Sequence, residues 1–323
     1  LKMQISPPPY IRAGMSVQKR MSLTLIGLLP IAVAAVYIFG PRALFIMITS
    51  VVTAMLMDYL VKRMRGRPYV LDGSAPLIGL LLALTLPPTI DMWMVAVGAI
   101  FAIGVVKEAF GGLGHYIFSP VMAGRVFLEV SFSTTYVTKM SFADNLTPLS
   151  ETFAWAGTKL ELYRGMFFGS TAGSTTTGSI GETGALFILV GGIVLMVLRI
   201  IDWKVTVSFI GTVALLALVV MLASNDSAVV IRHDVLVQIL GGGLILAAVF
   251  IATDTVTLPV TRRGRILFGI CCGLFTFIIR EWGDAREGAY YAVLLMNSVV
   301  PLIDRFIKTR PFGLRKEAES TVA

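Results

Sequence analysis

Ten apolar segments leave this chain few ways to fold. They lie near 21–39, 43–61, 74–87, 92–106, 117–132, 185–199, 205–223, 235–253, 266–279 and 289–304, at helix length or close to it. Composition points the same way: 56% of the 323 residues are hydrophobic and 14% charged, with a mean hydropathy of +0.83, where soluble domains carry about 25% charged residues. The reading is an all-α polytopic membrane protein of about ten transmembrane helices. Several segments fall short of the roughly 20 residues a span needs. The third, Ser74 to Pro87, and the fifth, which follows Gly111-Gly112-Leu113-Gly114, read as broken or re-entrant. Unwound backbone at membrane depth survives only where protein or a water-filled cavity receives it, so such spans point to a binding site.

Lysine and arginine set the orientation. With the N-terminus inside, nineteen of the 27 basic residues fall on inner segments, seven on outer ones, and Arg125 within a span. Both termini are then cytoplasmic. The net charge of +8 reflects this bias. The patch Lys62-Arg63-Met64-Arg65-Gly66-Arg67 therefore reads as a topology signal with some lipid headgroup contact, and nucleic acid is not an expected partner. Cys271 and Cys272 are adjacent in an apolar run, which excludes a disulfide framework or a CxxC site. His115 and His233 make no metal site, and no metal ligand set is expected.

The chain divides into an N-terminal cytoplasmic segment (1–20), a first transmembrane half (21–132), an extracytoplasmic loop (133–184), a second half (185–306) and a cytoplasmic tail (307–323). The loop is polar and rich in small residues, including Gly173-Ser174-Thr175-Thr176-Thr177-Gly178-Ser179, and loops of this length are usually functional or disordered. Leu71-Asp72-Gly73-Ser74 running to Thr85-Leu86-Pro87 is echoed by Gly241-Gly242-Gly243 running to Thr257-Leu258-Pro259, and Gly114-His115-Tyr116 by Gly288-Ala289-Tyr290. Five spans per half would invert the second, giving two inverted five-helix repeats with broken or half helices and a site at their interface.

Charges inside spans are expensive and therefore informative. Lys107 with Glu108, and Arg125 with Glu129, read either as neutralising pairs or as parts of an ion path. Asp72 and Asp254 occupy comparable span edges of the two halves, as site residues or as interfacial caps. Glu182 reads as the capping-box partner of Ser179 or as a direct contact. The Gly/Ser/Thr-rich loop before that helix start suits a phosphate, because backbone N–H groups converge there.

Several strings amount to a resemblance when taken in order. They are Asp72-Gly73-Ser74, Leu84-Thr85-Leu86-Pro87-Pro88, Lys107-Glu108-Ala109-Phe110-Gly111-Gly112-Leu113-Gly114, Gly178-Ser179-Ile180-Gly181-Glu182-Thr183, Thr253-Asp254-Thr255-Val256-Thr257-Leu258-Pro259-Val260-Thr261 and Leu294-Leu295-Met296-Asn297 with Pro301-Leu302-Ile303-Asp304. Over nearly the whole length the chain resembles the D subunits of Rnf ferredoxin:NAD oxidoreductase complexes, and is similar to the B subunits of the sodium-translocating NADH:quinone reductases.

The resemblance implies a flavin-carrying subunit of a redox-driven Na⁺ or H⁺ pump in a prokaryotic inner membrane. It implies partners that include an FMN-bearing subunit facing the extracytoplasmic side and iron–sulfur subunits. It also implies FMN joined by a phosphoester to a threonine, and a second, non-covalent flavin, riboflavin in type, inside the bundle. Thr147, in Thr147-Pro148-Leu149, matches the end of the attachment motif. Asp144, Asn145 and Leu146 stand before it, where the family has Ser and Ala; Thr177 is the second candidate. Asp72, Gly73, Ser74, Ser179, Glu182, Asp254 and Thr257 are the expected cofactor contacts. No GxGxxG after a strand and no cysteine cluster is present, so on this reading the chain does not bind NAD or ferredoxin itself. The alternative from another class is a secondary transporter or channel with inverted repeats and no redox cofactor.

Overall fold

The computed structural model describes residues 16–70, 72–132, 159–169, 179–182, 184–223, 234–282 and 288–307. Among them the secondary structure is wholly helical. Two long helices open the chain: α1 (Val17–Phe39) runs from the end of the molecule that carries Lys62 to Arg67, here the basic end, and α2 (Pro41–Met64) returns to it. Gly40, at φ 74°, makes the turn between them, and Pro41 follows at the first helical position. Ser16 caps α1 by accepting from Lys19 N at 3.2 Å.

The next elements are shorter. α3 (Ser74–Leu84) has 11 residues, about half the length a bilayer requires at 1.5 Å per residue. α4 (Met92–Ile100) continues without a break into a π-helical stretch, Phe101–Glu108. α5 (Pro120–Ser131) completes the first half. A further helix, α6 (Lys159–Phe168), lies in the stretch that hydropathy reads as loop. α7 (Ala185–Val197) and α8 (Trp203–Ala223) follow. The eighth apolar segment is not one span: α9 (Val235–Leu240) stops at Gly241, and α10 (Leu244–Leu246) resumes after Gly243 and runs into a second π-helical stretch, Ala247–Ile251. α11 (Arg262–Trp282) and α12 (Gly288–Phe306) end the described chain.

Three described helices, α1, α2 and α8, are long and apolar enough to cross a membrane by themselves. The shorter ones depend on their neighbours, since the core of Leu, Ile, Val, Ala and Phe side chains draws on both halves. Pairings recur between the halves. α2 packs on α3 and α4, while α8 packs on α11 and on the second π stretch; α1 crosses α7, and α5 crosses α12. Each half's second helix sends one hydroxyl to a carbonyl of its short helix: Ser50 Oγ donates to Gly79 O (2.7 Å), and Thr206 Oγ1 to Ala248 O (3.0 Å). Pro87 lies fourteen positions after Gly73, and Pro259 sixteen positions after Gly243; the longer segment is the one that holds a π-helical stretch.

α8 and α11 approach closely along a small-residue face. A Cβ on Gly269 would stand 2.8 Å from Val205 O, and one on Gly273 would stand 2.9 Å from Phe209 O. These glycines are four apart, the spacing that lets membrane helices meet backbone to backbone. Gly273→Val is therefore expected to force α8 from α11 at a cost of about 1–3 kcal/mol, seen as a lowered thermal midpoint in detergent, while the exposed Leu274→Val on the same helix leaves the midpoint within about 0.5 kcal/mol of wild type.

Candidate functional site

Two half-helices enter the bundle from opposite ends, and a polar cluster surrounds the start of each. Gly73, at φ 79°, precedes α3 at the basic end, where a Cβ would meet Met21 Cβ at 3.2 Å. Gly243, at φ 63°, precedes α10 at the far end, beside Tyr290 and Glu182. Both positions need a left-handed backbone conformation that favours glycine.

At the basic end a cleft opens between the halves. Leu77, Ile78 and Leu81 of α3 and Phe250 and Ile251 of the second π stretch supply apolar walls, and Arg20, Ser74, Tyr116, Ser119, Thr253, Asp254 and Thr255 supply the polar lining. The cavity volume of the cleft is about 60 Å³, and the rest of the space it borders is continuous with solvent. Tyr116 donates to Asp254 Oδ2 across the interface at 2.9 Å. Asp254 Oδ1 also accepts from Val256 N (3.2 Å), which holds the turn after the π stretch. On the other wall, Asp72 Oδ1 accepts from both Ser74 N (3.0 Å) and Ser74 Oγ (2.7 Å).

Behind Asp72 lies a charge cluster of which sequence reasoning found only part. Lys107 and Glu108, at the end of the first π stretch, are 0% and 1% exposed. Lys107 takes Asp58 as its nearest partner, with Nζ 2.7 Å from Oδ1, and lies 3.7 Å from Glu108 Oε1. Asp58 Oδ2 holds Lys62 Nζ at 2.7 Å, and Lys62 is 3.8 Å from Asp72 Oδ2. Arg65 Nη1 donates to Glu108 O at 2.5 Å. The Lys107–Glu108 pair of the sequence reading is thus a five-residue network reaching Asp72. Asp58 was the missed member. Its signal was present, as the one acidic residue in an otherwise apolar span.

The far-end cluster joins the halves again. Arg125, 1% exposed, reaches from α5 to Ser179 Oγ (3.3 Å), and its guanidinium lies 4.3 Å from the centre of the Tyr290 ring. Tyr290 donates to Glu182 Oε1, whose Oε2 accepts from Ser179 N at 3.4 Å. That last contact is the reach-back half of the expected capping box, formed in a turn. Residues 179–182 close the end of α3: Ile180 N donates to Leu86 O (2.9 Å) and Gly181 N to Leu84 O (2.7 Å). Arg280 closes the break before α10, donating to Gln238 O (2.7 Å), Gly241 O (2.9 Å) and Gly242 O (3.1 Å).

The expected contacts therefore separate into two groups. Ser74 and Asp254 line the basic-end cleft, with Asp72 and Gly73 beside Ser74 at the start of α3, while Ser179 and Glu182 stand at the far end. Thr257 is buried in the turn after Asp254, its N–H directed to Asp254 O. Asp72 and Asp254 are not equivalents by position, since Asp72 precedes a helix and Asp254 follows one; both come to the basic end because the two elements enter from opposite ends. Thr147 and Thr177 lie outside the described residues. α6 sits over the far end, where Tyr163 donates to Asp234 Oδ2 at 2.5 Å and Asp234 Oδ1 caps α9 through Leu236 N. Partial burial and the neighbouring carboxylate push the Tyr163 phenol up to about 12.

The fold and clefts define a helical, multi-pass membrane protein built around opposed half-helices. The family model described as "NQR2, RnfD, RnfE family" matches residues 4–313, and the chain belongs to that family. It is 38% identical to the D subunit of the proton-translocating ferredoxin:NAD(+) oxidoreductase complex of Clostridium ljungdahlii, over 97% of this chain and 96% of the relative. It is 36% identical to the D subunit of the Na(+)-translocating ferredoxin:NAD(+) oxidoreductase complex of Acetobacterium woodii, over 99% of each. The D subunit of the ion-translocating oxidoreductase complex of Methanosarcina acetivorans is 33% identical over 96% of each.

Two outcomes test this geometry. Lys107→Met leaves Asp58 and Glu108 buried with less positive charge and is expected to destabilise the bundle by about 3–5 kcal/mol, with a smaller loss in the double variant Lys107→Met/Asp58→Leu, measured by thermal unfolding in detergent. The raised phenol of Tyr163 favours the protonated, folded form, so its contribution is complete below about pH 10 and is lost as pH rises towards about 12. Proteolytic release of α6 should follow that alkaline window in wild type and lose its pH dependence there in Tyr163→Phe.

Proposed function

We propose that this chain is the flavin-carrying membrane subunit of a redox-driven, ion-translocating ferredoxin:NAD oxidoreductase complex. Electrons pass through it by way of FMN esterified to Thr147 and a second, non-covalent flavin of riboflavin type in the basic-end cleft. The observation that carries the reading is that cleft. It is an apolar slot between the halves, edged by Ser74, Tyr116 and Asp254. A flavin ring is a flat apolar body with hydrogen-bonding edges, and the donor and acceptor set fits it: Leu77, Ile78, Leu81 and Phe250 would face the ring, while Ser74, Ser119 and Tyr116 would meet its polar edge.

The flavin supplies the electron-accepting chemistry when bound, and the protein supplies position and polarity. Tyr116 keeps Asp254 turned to the interface, and Asp72 holds Ser74 at the lip of α3. At the far end, Ser179, Glu182, Tyr290 and Arg125 form a polar cluster that joins the two halves. The excess of basic residues at one end supports cytoplasmic termini in the prokaryotic inner membrane. Other subunits of the complex, an FMN-bearing extracytoplasmic one and iron–sulfur ones, would deliver and take the electrons. Relatives named for protons and for sodium are similarly near this chain, so the ion carried differs within close kin.

The test is ultraviolet fluorescence of the denatured chain on a gel after co-expression with a flavin transferase. Fluorescence in wild type that disappears in Thr147→Ala and persists in Thr177→Ala is the expected result. Loss in Thr177→Ala alone would move the attachment site. A dark wild-type band, with the transferase active on a control, would remove the covalent flavin and favour a transporter without a redox cofactor.

A further inference from the structure

Asp72 is a partly exposed carboxylate one hydrogen bond away from the lining of the basic-end cleft. Its side chain keeps 24% of its surface exposed, yet its Oδ1 is 2.7 Å from the hydroxyl of Ser74, a residue 1% exposed that lines the cleft. Two residues thus span the distance from water to the interior. The charge cluster behind them holds the arrangement: Lys107 fixes Asp58, Asp58 fixes Lys62, and Lys62 lies 3.8 Å from Asp72 Oδ2, which leaves Oδ1 turned to Ser74. The other carboxylate of the cleft, Asp254, is engaged by Tyr116, 5% exposed, and by the backbone of Val256.

We propose that Asp72 and Ser74 form the proton entry of this cleft, an inference that rests on the flavin reading above. A flavin held in the cleft and reduced by two single electrons, delivered in turn by iron–sulfur or flavin donors of the complex, would take up one proton at a ring nitrogen. Asp72 takes a proton from water at the basic end. Its O–H bond then breaks as Ser74 Oγ accepts that proton, the original Ser74 O–H bond breaks, and the N–H bond forms at the ring. Asp72 returns to its carboxylate form, so the net change is one proton moved from water to the cleft. Lys62 and Asp58 are positioning residues that keep Asp72 in line.

A plainer role competes. Asp72 also accepts from Ser74 N at 3.0 Å, an Asx turn that caps α3 by satisfying its first N–H. The two roles separate cleanly. Ser74→Ala keeps the backbone N–H and hence the cap while removing the relay hydroxyl, and Asp72→Asn keeps a capping oxygen while removing the titratable group.

The experiment uses the whole purified complex in wild type, Ser74→Ala, Ser74→Thr and Asp72→Asn. Flavin released by acid denaturation is quantified first; reduction of that flavin is then followed by rapid mixing in H₂O and D₂O. Rates are expressed per releasable flavin, because Ser74 is also a contact of the ring edge. Reduction should slow at least about tenfold in Ser74→Ala and Asp72→Asn, with a changed solvent isotope effect, while Ser74→Thr stays within about twofold of wild type. Unchanged rates in Ser74→Ala and Asp72→Asn would overturn the proposal and leave the cap. Rates that return to the wild-type value in those two variants once added riboflavin has refilled the cleft would also overturn it, leaving Asp72 and Ser74 as binding contacts alone. A wild-type complex with covalent flavin but none releasable would instead remove the cofactor from the cleft, and the proton entry with it.

Discussion

Two helices begin or end inside the bundle, and their unpaired backbone groups must find partners within protein. Much of the architecture answers that requirement. Ile180 and Gly181 bring N–H groups to the carbonyls left at the end of α3. Gly181 has no side chain because a Cβ there would stand 2.7 Å from Leu84 Cβ and 2.9 Å from Leu84 O. Arg280 performs the same task for the break before α10, and hydroxyls of Ser50 and Thr206 reach carbonyls within the short helices. The groups that meet these needs are polar and buried, so the places where helices stop are also the places where chemistry can be done.

The clefts follow from this. A short helix leaves room beyond its end, and the opposing entry of α3 and α10 brings residues of the two halves face to face. Ser74 and Asp254 share one cleft although 180 positions separate them. α5 and α12 link the two ends. Ser119, at the cleft, begins α5, and Arg125, at the far cluster, lies six residues on, on the order of 9 Å at 1.5 Å per residue. Asn297 of α12, with its amide oriented to satisfy both neighbours, accepts from Ser119 N at 3.0 Å and donates to Val293 O at 3.3 Å.

Hydropathy located the helices well wherever one apolar run made one helix. It failed at 235–253, because three glycines interrupt hydrophobicity too briefly to register although they end a helix. The π-helical stretches were also invisible, since their residues are as apolar as those of an α-helix. α6 escaped notice because Lys159, Glu161 and Arg164 give it a polar average. At the site, short strings such as Asp72-Gly73-Ser74 and Thr253-Asp254-Thr255 were legible because glycine and charge are rare at such depth. Partners such as Tyr163 with Asp234, or Lys107 with Asp58, were not. Each lies tens of residues away, and only the folded path of the chain brings them together.

Arg280 bears on how the protein is made. The carbonyls it receives belong to residues 38 to 42 positions earlier, so they leave the ribosome well before their donor. A nascent chain that has reached α10 has a bend it cannot yet bury. That bend must wait in water or within the insertion machinery until α11 is threaded, and a chain cut short before Arg280 would present the unfinished turn to whatever surveys membrane proteins for removal.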